Sequence, residues 1–126
     1  MKINLQNKIS LVTGAGRGIG EAICLDLAKA GSKIIAISRN DRNLKILKKK
    51  IHGNGHFFLS CDLEKKNSLN KIFSFLKKNK IKPDIVINNV GGTLGYTDPL
   101  APISEYQKVF HLNFNLAVEI NRYLIP

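Results

Sequence analysis

The sequence predicts an α/β protein built on a doubly wound parallel sheet, and three observations lead there. Short apolar runs alternate with segments whose apolar residues recur at helical spacing. The helical segments are roughly ten residues or longer, which suits crossovers between parallel strands and rules out hairpins. A cluster of glycines falls between the first strand and the first helix. Right-handed crossovers then give an expected strand order of 3-2-1-4.

Lys8 to Thr13 is a mostly apolar run ending at a glycine and reads as a buried strand. Ile19, Ile23, Leu27 and Ala30 follow at helical spacing, and Gly31 stops that helix. Lys33 to Ser38 is a second buried strand. Asn40 is placed to cap a helix whose apolar face is Leu44, Leu47 and Ile51. His56 to Ser60 makes a third strand, and Leu69, Ile72, Phe73 and Leu76 mark the next helix. Pro83 precedes a fourth strand, Asp84 to Asn88. A glycine-rich loop from Val90 to Gly95 runs on to Pro102. Ser104 with Gln107 forms a capping-box pair opening a last helix. Its expected apolar face is Tyr106, Phe110, Asn113, Leu116, Ile120 and Leu124.

Composition narrows the function. The chain has 126 residues, 44% hydrophobic and 23% charged, enough for one domain with a real core. No run of about 18 apolar residues is present to span a membrane, and the opening MKINLQNKIS lacks the apolar centre of a secretory signal. Cys24 and Cys61 make neither a disulfide framework nor a metal-ligand spacing with the histidines, so no metal is expected. Both read as small buried thiols, which fits a reducing cytoplasm. The net charge of +11 raises a nucleic-acid reading. The lysines, however, fall in short runs beside apolar residues at helical spacing and carry no interleaved aromatics to stack bases. Exposed helix faces account for them, and no nucleic-acid partner is expected.

The glycine loop carries the chemistry. TGAGRGIG, residues 13 to 20, sits between a strand and a helix. Glycines accept positive φ and let backbone approach a pyrophosphate, while the helix N-terminus offers N–H groups and partial positive charge. No Gly-Lys-Ser/Thr ends the loop, so it is not a P-loop. Its spacing is G-x-x-x-G-x-G at Gly14, Gly18 and Gly20, with Gly16 between. Ile19 and Glu21 stand where G-x-G-x-x-G would need its third glycine.

With these residues in view, the chain resembles the short-chain dehydrogenase/reductase family, and so a Rossmann-like fold. TGAGRGIG matches the family's T-G-x-x-x-G-x-G in full. Asp62, in the Cys61-Asp62-Leu63 stretch after the third strand, matches the acidic residue that meets the adenine ring. Asn88-Asn89-Val90-Gly91 matches N-N-A-G, with valine for alanine. Asn113, thirteen residues before Pro126, matches the asparagine of the family's central helix. The resemblance implies a cofactor site at Gly14, Gly16, Arg17, Gly18, Ile19, Gly20, Ser38, Arg39, Asp62, Leu63, Asn89, Val90 and Gly91. It makes Asn88 a scaffold residue and Asn113 part of a proton relay. Without it, Asn113 reads as a hydrogen-bonded core asparagine, Asn89 as a strand-end turn residue and Asp62 as an aspartate before a helix.

The cofactor follows from charge. NAD specificity comes from an acid at the end of the second strand, where this chain has Ser38 followed by Arg39. Arg39 and Arg17 match the two basic positions of NADP-preferring members. Two charge-assisted bonds give a preference of roughly a hundredfold or more, so NADP(H) is expected over NAD(H).

The resemblance further implies reversible hydride transfer between a nicotinamide and a small-molecule carbonyl or secondary alcohol. Its acid/base motif Y-x-x-x-K does not occur: Leu100 follows Tyr96 by four, Phe110 follows Tyr106, and Tyr123 lies too near the end. Of the catalytic set only Asn113 is present. The chain is therefore expected to be the N-terminal portion of a single cofactor-binding domain, cut after the helix that follows the fourth strand. Alone it is expected to associate through uncovered surfaces and to lack reductase activity. The alternatives are a short NADP-binding protein without catalysis and a basic Rossmann-like module that binds nucleic acid. The resemblance also implies a homo-oligomer, with the last helix in a subunit interface.

Overall fold

The computed structural model describes residues 2–126. The chain forms two compact units, one extending to Asn89 and one from Val90 to Pro126.

The first unit holds β1 (Ile9–Thr13), α1 (Gly18–Lys29), β2 (Lys33–Ser38), α2 (Asp41–Lys50), β3 (Phe57–Ser60), α3 (Ser68–Lys78) and β4 (Ile85–Ile87). The sheet order is β3-β2-β1-β4 with every pair parallel, as the alternation of strands and helices requires. Ile34, Ile35, Ala36 and Ile37 are all buried, so β2 is covered on both faces. Phe57 pairs with Ile35 and Phe58 with Ala36, so the two rings point to opposite faces. Phe58 packs against the cluster that includes Val12, Cys24, Ala28, Leu44 and Leu47, from β1, α1 and α2. The Phe57 ring meets Phe75 of α3 edge-on, with centroids 5.5 Å apart. Helices thus lie on both faces of the sheet.

β2 spans its expected run in full, while β3 and β4 are shorter than theirs because side chains take over the ladder at the ends. His56 stops short of β3, and its Nδ1 accepts the Ile34 N–H at 3.0 Å while Nε2 meets the His52 carbonyl at 2.8 Å. Asp84 stops short of β4, and its carboxylate accepts the Ile9 N–H at 2.9 Å. Buried Ser10 and Ser32 satisfy each other at 2.7 Å, which keeps two hydroxyls compatible with the core.

The face of α1 is not the one expected. Gly20, Cys24 and Ala28 are buried, Ile23 and Leu27 are half-buried, and Ile19 is 74% exposed. Small side chains allow the helix to lie close to the sheet, and the larger residues move to the flanks. Asn40 caps α2 as expected, its side chain accepting the Asn43 N–H at 3.2 Å. Lys48 to Lys50 close α2, and Lys77 and Lys78 close α3. Cations there complement the helix dipole, a structural role for these five lysines.

The second unit holds a turn-rich loop, then α4 (Ile103–Phe110), a π-helical turn (His111–Asn115) and α5 (Leu116–Leu124). The Ser104–Gln107 capping box does not form. Pro102 is the N-cap residue, at φ −55° and ψ 148°, and Ser104 lies inside the first turn. The ring of Pro102 presets φ, so the helix starts before the serine. Nor is the helix continuous. Leu116 N–H donates to the His111 carbonyl, five residues back, rather than four. The buried stripe is Leu112, Leu116 and Ile120, while Tyr106, Phe110 and Asn113 are exposed. The wider turn carries Asn113 off the stripe, and Leu112 takes its place.

Candidate functional site

Because all four strands run parallel, the segments that follow them share one edge of the sheet. Crevices at this edge are where ligands of open α/β sheets bind. The sequence-predicted residues of the first unit gather there: Gly14 to Gly20 after β1, Ser38 and Arg39 at β2, Asp62 and Leu63 after β3, and Asn89 after β4.

The glycine loop leaves β1 with Gly14 at φ +64°, and Ala15 N–H still bonds the Ile37 carbonyl at 2.9 Å. A Cβ on Gly16 would overlap the Ser38 hydroxyl, so this glycine seats the loop on the end of β2. Arg17 and Arg39 therefore flank a close approach between Gly16 and Ser38. A Cβ on Gly20 would overlap the Gly14 carbonyl oxygen, which makes glycine obligatory where α1 crosses the loop. Gly18, at φ +57°, is different: an added Cβ there would meet nothing within 4 Å.

Arg17 is the N-cap residue of α1, in extended conformation, and no side chain caps the helix. The first-turn N–H groups and the positive end of the dipole thus lie beside the open space at Gly18. Helix N-termini of this kind are where proteins commonly hold anions. Glu21, in the same turn, is held by Lys50 at 2.6 Å. Burial, reinforced by Glu21, pushes the Cys24 thiol up to about 12. Cys24 is thus a neutral packing residue.

Asn89 is tied to the loop twice. Its backbone N–H donates to Thr13 Oγ1 at 3.0 Å and its side-chain amide to the Gly14 carbonyl at 3.2 Å. Thr13 also reaches the Ile87 carbonyl at 3.4 Å. Its bridging role was missed as a site feature, although it opens the motif. Asp62 Oδ1 accepts the Glu64 N–H at 3.1 Å, and Leu63 is buried.

Ser38 is buried, and its Oγ accepts the Asn40 N–H at 3.3 Å. Arg39 is not free: its Nη1 lies 2.7 Å from Glu64 Oε2. Glu64 went unnoticed in the sequence because it is 25 residues away. The signal that could have found it is register, since Ser38 pairs with Ser60 and the chains leaving both strands run side by side.

In the second unit, the Asn113 side chain clasps Gly92. Its Oδ1 accepts the Gly92 N–H at 2.9 Å, and its Nδ2 donates to the Gly92 carbonyl at 2.7 Å and to the Val109 carbonyl at 2.8 Å. A Cβ on Gly91 would sit 2.6 Å from Asn113 Oδ1, so Gly91 admits this clasp. Val90 is half-buried. Among the described residues, no group of three His, Cys, Asp or Glu is placed to hold a metal ion, and no helix is long and apolar enough to cross a membrane.

Known proteins share this architecture. The family model for short chain dehydrogenases matches residues 8–126. An NADPH-dependent pterin aldehyde reductase of Arabidopsis thaliana is 28% identical over 119 residues, covering 92% of this chain and 49% of that protein. An L-sorbose reductase of Gluconobacter frateurii, solved with NADPH and L-sorbose, matches with a TM-score of 0.86 at 25% identity; the match covers 100% of this chain and 49% of that one. A 7α-hydroxysteroid dehydrogenase solved with NADH and a 7-oxo bile acid conjugate also reaches a TM-score of 0.86, at 26% identity over 98% of this chain and 49% of that one. The chain thus spans about half the length of these relatives. With the glycine loop, the strand order and a family match over nearly every residue, the chain belongs to the short chain dehydrogenase family.

Proposed function

We propose that these residues form the cofactor-binding part of an NADP(H)-dependent oxidoreductase acting on a small carbonyl compound or secondary alcohol. The observation that carries this reading is the uncapped N-terminus of α1 beside open space at Gly18. Backbone N–H groups from Gly14 to Gly20, Ile19 included, take the pyrophosphate in this reading. Arg17 and Arg39, with Ser38 between them and the sheet, meet the 2′-phosphate. Asp62 and Leu63 line the adenine, and Asn89, Val90 and Gly91 border the cofactor further along. The bound nicotinamide supplies the hydride acceptor or donor. Asn113 is a positioning residue, its amide orienting Gly92 and a water of the proton relay.

Relatives point to both cofactors, since the Arabidopsis reductase is NADPH-dependent, the L-sorbose reductase was solved with NADPH and the hydroxysteroid dehydrogenase was solved with NADH. The preference for NADP(H) rests on Arg39 and on the absence of an acid at Ser38. Titration of the full-length protein with both cofactors tests it. In the Ser38→Asp, Arg39→Ala double variant, affinity for NADPH is expected to fall roughly a hundredfold while NADH binding holds or improves. Unchanged discrimination refutes the assignment.

A further inference from the structure

The end of β2 lacks an acid in sequence, yet the fold brings one there. Cys61 N–H donates to the Ser38 carbonyl at 2.8 Å, and Ser60 Oγ to the Arg39 carbonyl at 3.4 Å. These bonds hold the segment after β3 alongside Arg39. Glu64 then stands opposite the guanidinium, with 2.7 Å between Nη1 and Oε2. Its backbone is set by Asp62, whose carboxylate accepts the Glu64 N–H and whose carbonyl accepts the Lys65 N–H at 3.2 Å. Buried Leu63 anchors the same turn. The two charged groups themselves are accessible, Arg39 at 64% and Glu64 at 37%.

An accessible ion pair of this kind is weak, so an incoming anion can draw Arg39 away or share its remaining N–H donors. A phosphate monoester that does so stays close to the Glu64 carboxylate and is repelled by it. A ribose 2′-hydroxyl carries no charge and can instead donate a hydrogen bond to that carboxylate. We propose that Glu64 is a specificity determinant of the cofactor site. It tempers the advantage that Arg39 gives a 2′-phosphate and serves as the acceptor that the end of β2 does not provide. The site is accordingly dual in cofactor use, with NADP(H) favoured only moderately. This inference rests on the placement of the adenosine ribose at Ser38 and Arg39.

Calorimetry of the full-length protein with 2′,5′-ADP and with 5′-ADP tests it without any turnover. Glu64→Gln keeps the side-chain shape and the turn set by Asp62. In this variant the affinity ratio of 2′,5′-ADP to 5′-ADP is expected to rise about threefold to tenfold at low salt. The rise should shrink as ionic strength approaches about 0.3 M, where charges beyond a few ångströms are screened. An unchanged ratio overturns the proposal, and a falling ratio does too, because Glu64 then merely orients Arg39. Arg39→Ala separates the two levels. If it abolishes the 2′,5′-ADP advantage while Glu64→Gln leaves the ratio alone, the cofactor reading stands and the role of Glu64 falls. If neither the native protein nor Arg39→Ala distinguishes the two ligands, the cofactor reading falls and takes this inference with it.

Discussion

The side-chain amide of Asn89 donates to the carbonyl of Gly14 at 3.2 Å, fastening the chain after β4 to the glycine loop after β1. Gly20 lies over this junction, and a Cβ there would overlap the Gly14 carbonyl and come within 2.7 Å of Asn89 Nδ2. Gly20→Ala is therefore expected to destabilise the fold by about 3 kcal/mol, the upper range for overpacking. Gly18→Ala meets no atoms and bears only the left-handed backbone penalty of about 1–2 kcal/mol. Its new methyl, however, projects into the proposed phosphate cradle. Urea titrations should separate the two in stability, and cofactor titration should show Gly18→Ala binding more weakly. A Gly18→Ala protein less stable than Gly20→Ala would contradict the loop geometry.

Asp84 predicts an acid-sensitive seam between β1 and β4. The Ile9 N–H, followed by Lys8, holds its carboxyl below the ordinary value of 3.8. A folded pKa below the unfolded one means that the contribution is complete above about pH 4 and is lost as pH falls through the folded value. Asp84→Asn should flatten the acid limb of the stability curve, read as melting temperature between about pH 5 and pH 2. An acid limb identical to that of the native protein would remove Asp84 from this role.

Cys24 predicts the opposite limb. Its thiol ionises at 9.0 ordinarily and at about 12 in the fold, through burial first and Glu21 second. The stability tied to the neutral thiol is whole below about pH 9 and declines as pH rises toward 12. Cys24→Ala should blunt alkaline destabilisation. In the native state at pH 8, Cys24 should resist thiol reagents until the protein is unfolded. Rapid labelling of Cys24 in the folded protein would contradict its burial.

Phe110 and Phe114 stack with ring centroids 4.9 Å apart and are 57% and 54% exposed. An exposed aromatic pair on a helix is a candidate contact surface. Whether a homo-oligomer uses this pair is open to a direct test. Phe110→Lys with Phe114→Lys should shift sedimentation of the full-length protein toward smaller species, with little change in melting temperature. Unaltered sedimentation would place any subunit contact elsewhere.

Much of the site was legible locally. The glycine spacing of residues 14 to 20, the strands Ile9–Thr13 and Lys33–Ser38 and the Asn40 cap depend on near neighbours in the chain. Their periods and turn residues are written within a few positions. The helix faces were less legible. Ile19 fitted a helical period but faces outward, because the distance between α1 and the sheet selects small residues and not merely apolar ones. Asn113 fitted the stripe of the last helix, yet a π turn displaces it and lets it clasp Gly92.

By itself the sequence determined the order of strands and helices, the glycine-rich loop between β1 and α1 and the family. The element order follows from local periodicity and the loop from glycine's freedom at positive φ, while the family follows from the resemblance of its motifs. Only the tertiary structure decided which side chains meet. Thr13 with Asn89, Asp84 with Ile9 and Arg39 with Glu64 are joined by the register of parallel strands far apart in the chain. Parallel pairing places the ends of distant strands at one edge, and a contact made there leaves no periodic trace in the residues between.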